Sequence, residues 1–343
     1  MKILMPVLMW ENASFKLGDG TILGGIERFQ NLVYENIDGI IPVYIAYHER
    51  TRNRVINKLR AAAEEHSADA IFWNTARGYS VASLDLGLPV VMLNHDPGDR
   101  GKPAKARYTN LRAFVDGGGK LFCVSEDQHR KSDAQSIRMN KHTIGDVQGY
   151  IPSAFASGDE QVLEEVLYDA ITIGRSEEGK HPFWLHNKLK SSRLTSCVLT
   201  RNALTAKQMR YGNKHLHWSD PRFTFRDLNH DDTMKVMATG SAYVSTCPYE
   251  SWGITALEAL THGLPLVLVT DSSGTHASQN VAAADSDYVL ISKSIKLREF
   301  EELLERYRGL SHADRVAISE RTKAKHSKAS WIAAVSGMFS GLS

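Results

Sequence analysis

The sequence is poor in cysteine, in long apolar runs and in any excess of one charge. Three cysteines among 343 residues, Cys123, Cys197 and Cys247, lie far apart, each within an apolar run. An odd number without paired spacing argues against a disulfide framework and against a zinc site, and leaves buried core thiols as the plain reading. Lysine and arginine total 41 against 39 acidic residues, a net charge of +2 that is too small to diagnose a nucleic-acid or membrane partner by itself. The longest apolar stretches, such as LPLVLV at 264–269, fall far short of the roughly 20 residues a membrane span needs. The opening MKILMPVLMW resembles a signal peptide only briefly, because Glu11 follows at once and no small-residue cleavage site appears. Internal repeats and low-complexity tracts are also missing. A cytosolic (cytoplasmic), soluble chain is expected.

What is present is an ordinary globular composition, 42% hydrophobic and 23% charged, in a chain long enough for two domains. Short Val/Ile/Leu-rich runs alternate with helix-period segments, the signature of a parallel sheet covered by helices. In the first half the expected strands are Lys2–Met9, Pro42–Ala46, Ala70–Trp73, Pro89–Leu93, Lys120–Val124 and Thr143–Val147, with amphipathic stretches at Arg50–Glu65 and Ala106–Asp116. Ile151–Gly158 is rich in Pro, Ser and Gly without periodicity and reads as a linker. The alternation then restarts, with strands expected at Asp169–Ile173, Thr195–Thr200, Arg222–Phe225, Ala242–Ser245, Pro265–Val269 and Tyr288–Ile291. Helices are expected at Pro182–Lys190, Asp231–Ala238, Gly253–His262, Ile295–Tyr307, His312–Lys325 and Ser330–Phe339. This pattern places one doubly wound domain over 1–152, a second over 153–328, and a terminal helix over 329–343 that packs back on the first. Open α/β sheets bind ligands beyond the carboxyl ends of their strands, so function is sought in the loops that follow strands, facing a cleft between the domains.

Two such loops carry chemistry. Ser245–Asp271, STCPYESWGITALEALTHGLPLVLVTD, runs strand, loop, helix, Gly-Leu-Pro turn, strand. Glu250 precedes the helix, and Glu258 follows eight residues later, a little over two turns along on the same side. Gly253 lets a ligand approach the helix N-terminus, where free N–H groups and the macrodipole favour an anion. Carboxylates flanking an anion site can accept hydrogen bonds from sugar and ribose hydroxyls. The plain alternative makes Glu250 a helix-capping acid and Glu258 an exposed helix residue. In the other loop, ITIGRSEEGK, residues Gly174, Arg175 and Lys180 follow a strand directly. Two cations on a Gly-containing turn suit a diphosphate, Arg binding bidentately and Lys as a point charge. Alternatively both are surface charges paired with Glu177 or Glu178.

In these segments the sequence resembles family-4-type retaining glycosyltransferases of the GT-B fold. These carry a Gly-Arg…Lys turn after the first strand of the second domain and an acid-x7-acid segment, E-G-F-G-L-x-x-L-E-A, followed by Gly-x-Pro and an apolar strand. Here the corresponding run is Glu250-Ser-Trp-Gly-Ile-Thr-Ala-Leu-Glu258-Ala, then Thr261-His-Gly-Leu-Pro265, with Ser251 and Trp252 in place of the usual Gly and Phe. In the first domain Gly24 and Gly25, in the Gly-rich stretch before the helix Ile26–Tyr34, match with Glu27 a Gly-Gly-x-E turn. His95-Asp96 matches a His-Asp pair near the transferred sugar, and Val124-Ser125-Glu126 a strand end. The resemblance implies the GT-B fold, two Rossmann-like α/β domains facing each other across a cleft.

It also implies roles. Arg175 and Lys180 would neutralise the diphosphate leaving group, Glu258 would bind the ribose, and Glu250 with the backbone of Trp252, Gly253 and Ile254 would hold the sugar and β-phosphate. Gly24, Gly25 and Gly174 would face the donor phosphates. His95 would hydrogen-bond the transferred sugar, the alternative being a buried structural histidine, and Asp96 would orient it or contact the acceptor. Arg201 and Phe223 are candidates for the nucleobase pocket. Transfer with retention and front-face geometry is expected, with a nucleotide-sugar, commonly UDP-linked, as co-substrate, no separate cofactor and no metal. His230-Asp231-Asp232 and Asp285-Ser-Asp287 look superficially like metal-binding pairs but read as a helix start and a polar turn.

For the acceptor, Asp99–Arg112 holds five cations, among them Arg100, Lys102, Lys105 and Arg107, against one acid. A second basic stretch runs from His129-Arg-Lys131 to Lys141-His142. Such loops suit a polyanion. The first also resembles bacteriophage α-glucosyltransferases acting on hydroxymethylated bases, so DNA carrying a hydroxymethyl-pyrimidine is the favoured acceptor, in the cytoplasm of a host cell if phage-encoded. The alternatives are a saccharide or lipid-linked glycan reached by peripheral membrane contact, or an inactive sugar-nucleotide-binding protein.

Overall fold

The computed structural model describes residues 1–9, 16–18, 25–46, 51–74, 87–95, 109, 111–130, 147–174, 183–200, 223–247, 250, 252–270 and 274–342. Its first elements in chain order are β1 (Ile3–Leu8), α1 (Gly25–Asn36), β2 (Ile40–Ile45), α2 (Arg52–His66), β3 (Ala70–Trp73), β4 (Val90–Asn94), β5 (Lys120–Cys123) and β6 (Val147–Tyr150). They are followed by β7 (Ala170–Ile173), α3 (Phe183–Leu189), β8 (Ser196–Thr200), β9 (Phe223–Asp227), α4 (His230–Met237), β10 (Tyr243–Ser245) and α5 (Ile254–Thr261). The chain closes with β11 (Leu266–Val269), β12 (Tyr288–Ile291), α6 (Leu297–Arg308), α7 (His312–Lys325) and α8 (Lys328–Met338). Two compact units result: Met1–Ala154 with Lys328–Ser343, and Phe155–Ser327.

The first unit holds a parallel sheet in the order β2-β1-β3-β4-β5-β6. One face is a core of Leu4, Ile45, Ile71, Trp73, Met92 and Leu121, covered by Val55 and Leu59 of α2 and by Leu111 and Phe114. On the other, Phe29 of α1 meets Phe72 of β3 at 6.3 Å, and the C-terminal segment adds Trp331 against Phe29 at 5.8 Å and Phe339 against Phe72 at 5.5 Å. Helix α8 covers this face because Trp331, Val335 and Met338 fall at helical spacing and all are buried. The buried indole donates its Nε1–H to Pro152 O at 2.9 Å, so the ring brings no unpaired polar group into the core.

The edges differ from the interior of this sheet. β2 begins at Ile40, earlier than expected, and carries Pro42 at an edge, where a missing N–H costs no ladder bond on the outer side. β6 runs Val147–Tyr150 instead of ending at Val147. An edge strand covered on one side alternates half-buried and exposed residues, as Val147 to Tyr150 do, and a search for unbroken apolar runs passes over that pattern.

The second unit's parallel sheet has the order β12-β11-β10-β7-β8-β9. Its core joins Ala170, Leu185, Leu189, Val244 and Val267 to Phe300, Leu303, Leu304 and Tyr307, a helical stripe on α6. Helix α7 starts with a reciprocal cap: Ser311 Oγ accepts from the Asp314 N–H, and the Asp314 carboxylate accepts from the Ser311 N–H, both at 3.1 Å. All three cysteines are buried and none is in a disulfide.

Strand order fixes where ligands can sit. In the first sheet the winding reverses between β1 and β3, and in the second between β7 and β10. Each reversal opens a crevice at the carboxyl edge. Asn74 and Gly174 follow β3 and β7 directly, and the loop that leads to Glu250 follows β10.

Candidate functional site

In the second unit the crevice is built around the start of α5. Gly253 is its N-cap, at φ 101° and ψ 68°, a left-handed conformation costly for any residue with a Cβ. A Cβ there would also collide with Ser278 Oγ, so only glycine closes this turn. Gly253 has no side chain of its own to cap the helix, and a helix N-terminus is where free N–H groups and the macrodipole favour an anion. Ser278 is held from behind. His276 Nδ1 accepts from the Ser278 N–H at 3.1 Å, so its Nε2 carries the proton and donates to Ser245 Oγ at 3.0 Å.

Glu258 is only 9% exposed, which excludes its reading as an exposed helix residue. It is the one charged side chain of α5, and His230 Nε2 at the start of α4 lies 3.7 Å from its Oε1. Glu250 is half-buried and stands three residues before the N-cap. Trp252 is buried, its ring edge-on to His326 at 5.6 Å and 86°, so the residue in place of the usual Phe anchors the loop by packing. Burial pushes His326 down to about 4, although its Nε2–H donates to Val281 O at 2.7 Å. Gly174 N donates to Leu199 O at 3.1 Å at the end of β7.

In the first unit His95 follows β4 and is buried, its Nε2 at 2.7 Å from Asn74 Oδ1 and its ring edge-on to Phe29 at 5.0 Å. Burial pushes the imidazole down to about 3, so it is neutral at physiological pH. Gly25 belongs to the first turn of α1 instead of preceding it, and Glu27 lies in the same turn.

Arg175, Lys180, Gly24, Arg201, Asp96, Arg100, Lys102, Lys105 and Arg107 lie outside the described residues. Phe223 opens β9 at its amino end, paired with Ser196, and the position of that strand at the carboxyl edge is Asp227, paired with Thr200. The two acidic pairs hold local structure. Asn229 caps α4 by accepting from the Asp232 N–H at 2.8 Å, and fully buried Asp287 meets Arg321 at 2.6 Å. Among the described residues no group of three metal-ligating side chains occurs, and no helix is long and apolar enough to cross a membrane. Asn74, His276 and Ser278 went unnoticed in the sequence, and His230 and Ser245 were seen there only as a helix start and a strand end. Only the position of Asn74 directly after a strand could have signalled it.

No family model matches the chain, and no curated protein matches it. Solved structures do match, and they show the fold to be GT-B, with two Rossmann-like units. A sucrose-phosphate synthase from Thermosynechococcus elongatus superposes with a TM-score of 0.74 at 12% identity, over 99% of this chain and 98% of that one. Anabaena HepE, solved with UDP and glucose, gives 0.67 at 15% identity over 99% and 100%. TarM gives 0.61 at 13% identity, and the match spans 83% of this chain but 58% of TarM. TarM from S. aureus has also been solved as a variant with Fondaparinux, α-GlcNAc-glycerol and UDP.

Proposed function

We propose that this chain is a glycosyltransferase that moves a sugar from a nucleotide-sugar, UDP-linked, to an acceptor hydroxyl. One observation carries the reading: Gly253 opens α5 at the reversal point of the second sheet with buried Glu258 five residues along the same helix. A diphosphate would sit on the helix N-terminus and a ribose would bond Glu258, with Glu250 beside the sugar. Arg175 and Lys180, which follow Gly174 in the sequence, would neutralise the leaving diphosphate. His95, neutral, would hydrogen-bond the transferred sugar. Retention by front-face transfer, with the departing phosphate oxygen taking the acceptor proton and no metal, completes the proposal. HepE, solved with UDP and glucose, supports a UDP-linked donor.

For the acceptor, the cations of residues 99–112 support DNA carrying a hydroxymethyl-pyrimidine, while the saccharide ligands of TarM support a glycan. The test is a matrix of nucleotide-sugars against hydroxymethylated DNA, unmodified DNA and simple glycans, read by product mass. Reversing the charge of Lys102, Lys105 and Arg107 together is expected to weaken DNA binding, most at low salt, and to spare donor hydrolysis. Unchanged DNA affinity would sink the DNA acceptor and leave the glycan. A wild-type protein that neither hydrolyses nor transfers from any nucleotide-sugar would sink the enzyme reading.

A further inference from the structure

We propose that Asn74 is a positioning residue for sugar transfer, fixing His95 in the Nε2–H tautomer so that Nδ1 is its accepting nitrogen; this rests on the glycosyltransferase reading for its catalytic consequence. Asn74 is 2% exposed and directly follows β3, beside the point where the winding of the first sheet reverses. Its amide nitrogen donates to the carbonyl oxygen of Ile26 at 3.3 Å. A carbonyl can only accept, so the amide nitrogen must face Ile26 and the amide oxygen must face His95. That oxygen lies 2.7 Å from His95 Nε2, and it too can only accept. His95 must therefore carry a proton on Nε2.

Burial keeps the ring neutral, and a neutral imidazole has one protonated nitrogen, which leaves the lone pair on Nδ1. At Nδ1 the ring is then an acceptor, and it is not a cation. Three separate segments meet in this device: the first turn of α1 through Ile26, the end of β3 through Asn74 and the end of β4 through His95. Phe29 packs edge-on against the ring, which restricts the imidazole's rotation. An asparagine suits this position because it alone among the short side chains supplies one donor and one acceptor in a rigid plane.

The test compares Asn74→Ala, Asn74→Ser, His95→Ala and the double variants with wild-type protein. UDP-glucose and related UDP-sugars serve as donors, and melting temperatures serve as a folding control. Asn74→Ala is expected to lower kcat roughly tenfold or more with the donor KM changed by less than about twofold. Combined with His95→Ala it should add less than about twofold to the loss seen for His95→Ala alone. Serine is too short to reach His95, so Asn74→Ser should behave as Asn74→Ala does and replaces it if the alanine variant fails to fold. Histidine-labelled NMR spectra, with the His95 signal identified by its loss in His95→Ala, should show an Nε2–H tautomer in wild type and a mixture in the Asn74 variants. An unchanged tautomer, or losses that multiply in full, would overturn the assignment. The spectra need no turnover, so a protein without sugar transfer would overturn the catalytic reading while the role of Asn74 toward His95 is still decided.

Discussion

The two candidate sites sit at equivalent places in two parallel sheets yet are built in opposite ways. In the second unit the chemistry is concentrated on one stretch of chain: Glu250, the Gly253 turn and Glu258 lie within nine residues, and the surroundings mainly hold that turn in shape. In the first unit no stretch carries the site. His95, Asn74, Ile26 and Phe29 come from three segments, and Phe29 is itself propped by Trp331 from the far end of the chain at 5.8 Å. A contiguous site depends on local backbone geometry, whereas an assembled one depends on the packing behind it. Substitutions in the packing should therefore divide the two units, and substitutions in the turn should divide them the other way.

Trp331→Ala should have the largest effect. Removing a fully buried indole from α8 is expected to cost about 3–5 kcal/mol, measured by denaturant unfolding of the first unit's transition, and to alter the His95 environment while donor binding through α5 persists. Equal loss of donor affinity would break the distinction. Glu258→Gln works on the other unit. Losing the carboxylate proposed to accept from a ribose should lower kcat/KM roughly 100-fold, about 2.7 kcal/mol, with little change in melting temperature. Gly253→Ala should come next. Left-handed strain and the collision with Ser278 are expected to cost about 1–3 kcal/mol and to weaken donor binding, whereas an alanine at an exposed site of α6 should do neither.

Acid should act on both units, more weakly. His95 and His326 are held neutral by burial, with folded values of about 3 and about 4 against about 6.5 in an unfolded chain. Below about 6.5 the unfolded state takes up protons that the folded state refuses. Stability is thus fully present above that pH and falls as pH drops toward the folded values, by at most about 1.4 kcal/mol per unit for each histidine. Melting temperatures of wild type, His95→Gln and His326→Gln between pH 7 and 4 should show each variant with a shallower fall. A fall as steep in His326→Gln as in wild type would remove His326 from the account.

Much of this was legible in the chain. Alternating apolar runs and helical stripes announced two α/β halves, because strands covered on both faces must be apolar throughout; Ala70–Trp73, Tyr288–Ile291 and His312–Lys325 fall where expected. The Glu250–Glu258 segment was legible for the same local reason, since a short loop, a glycine and the helix that follows are read off adjacent residues. The limits of β2 and β6 were not, because edge exposure is a property of strand order. Gly25 likewise entered the helix it was expected to precede, since the boundary depends on which N–H groups find partners.

By itself, then, the sequence determined the class of architecture, the glycine turn at Gly253 and the acids around it, all matters of short-range periodicity and backbone freedom. Only the tertiary structure decided that Glu258 is buried beside His230 and that Trp252 is an anchor against His326. Only it brought Asn74 Oδ1 within 2.7 Å of His95 Nε2. Those three facts join residues from 21 to 74 positions apart. Burial and hydrogen-bond direction at that range are set by which strands lie side by side, and no local pattern of residues encodes that.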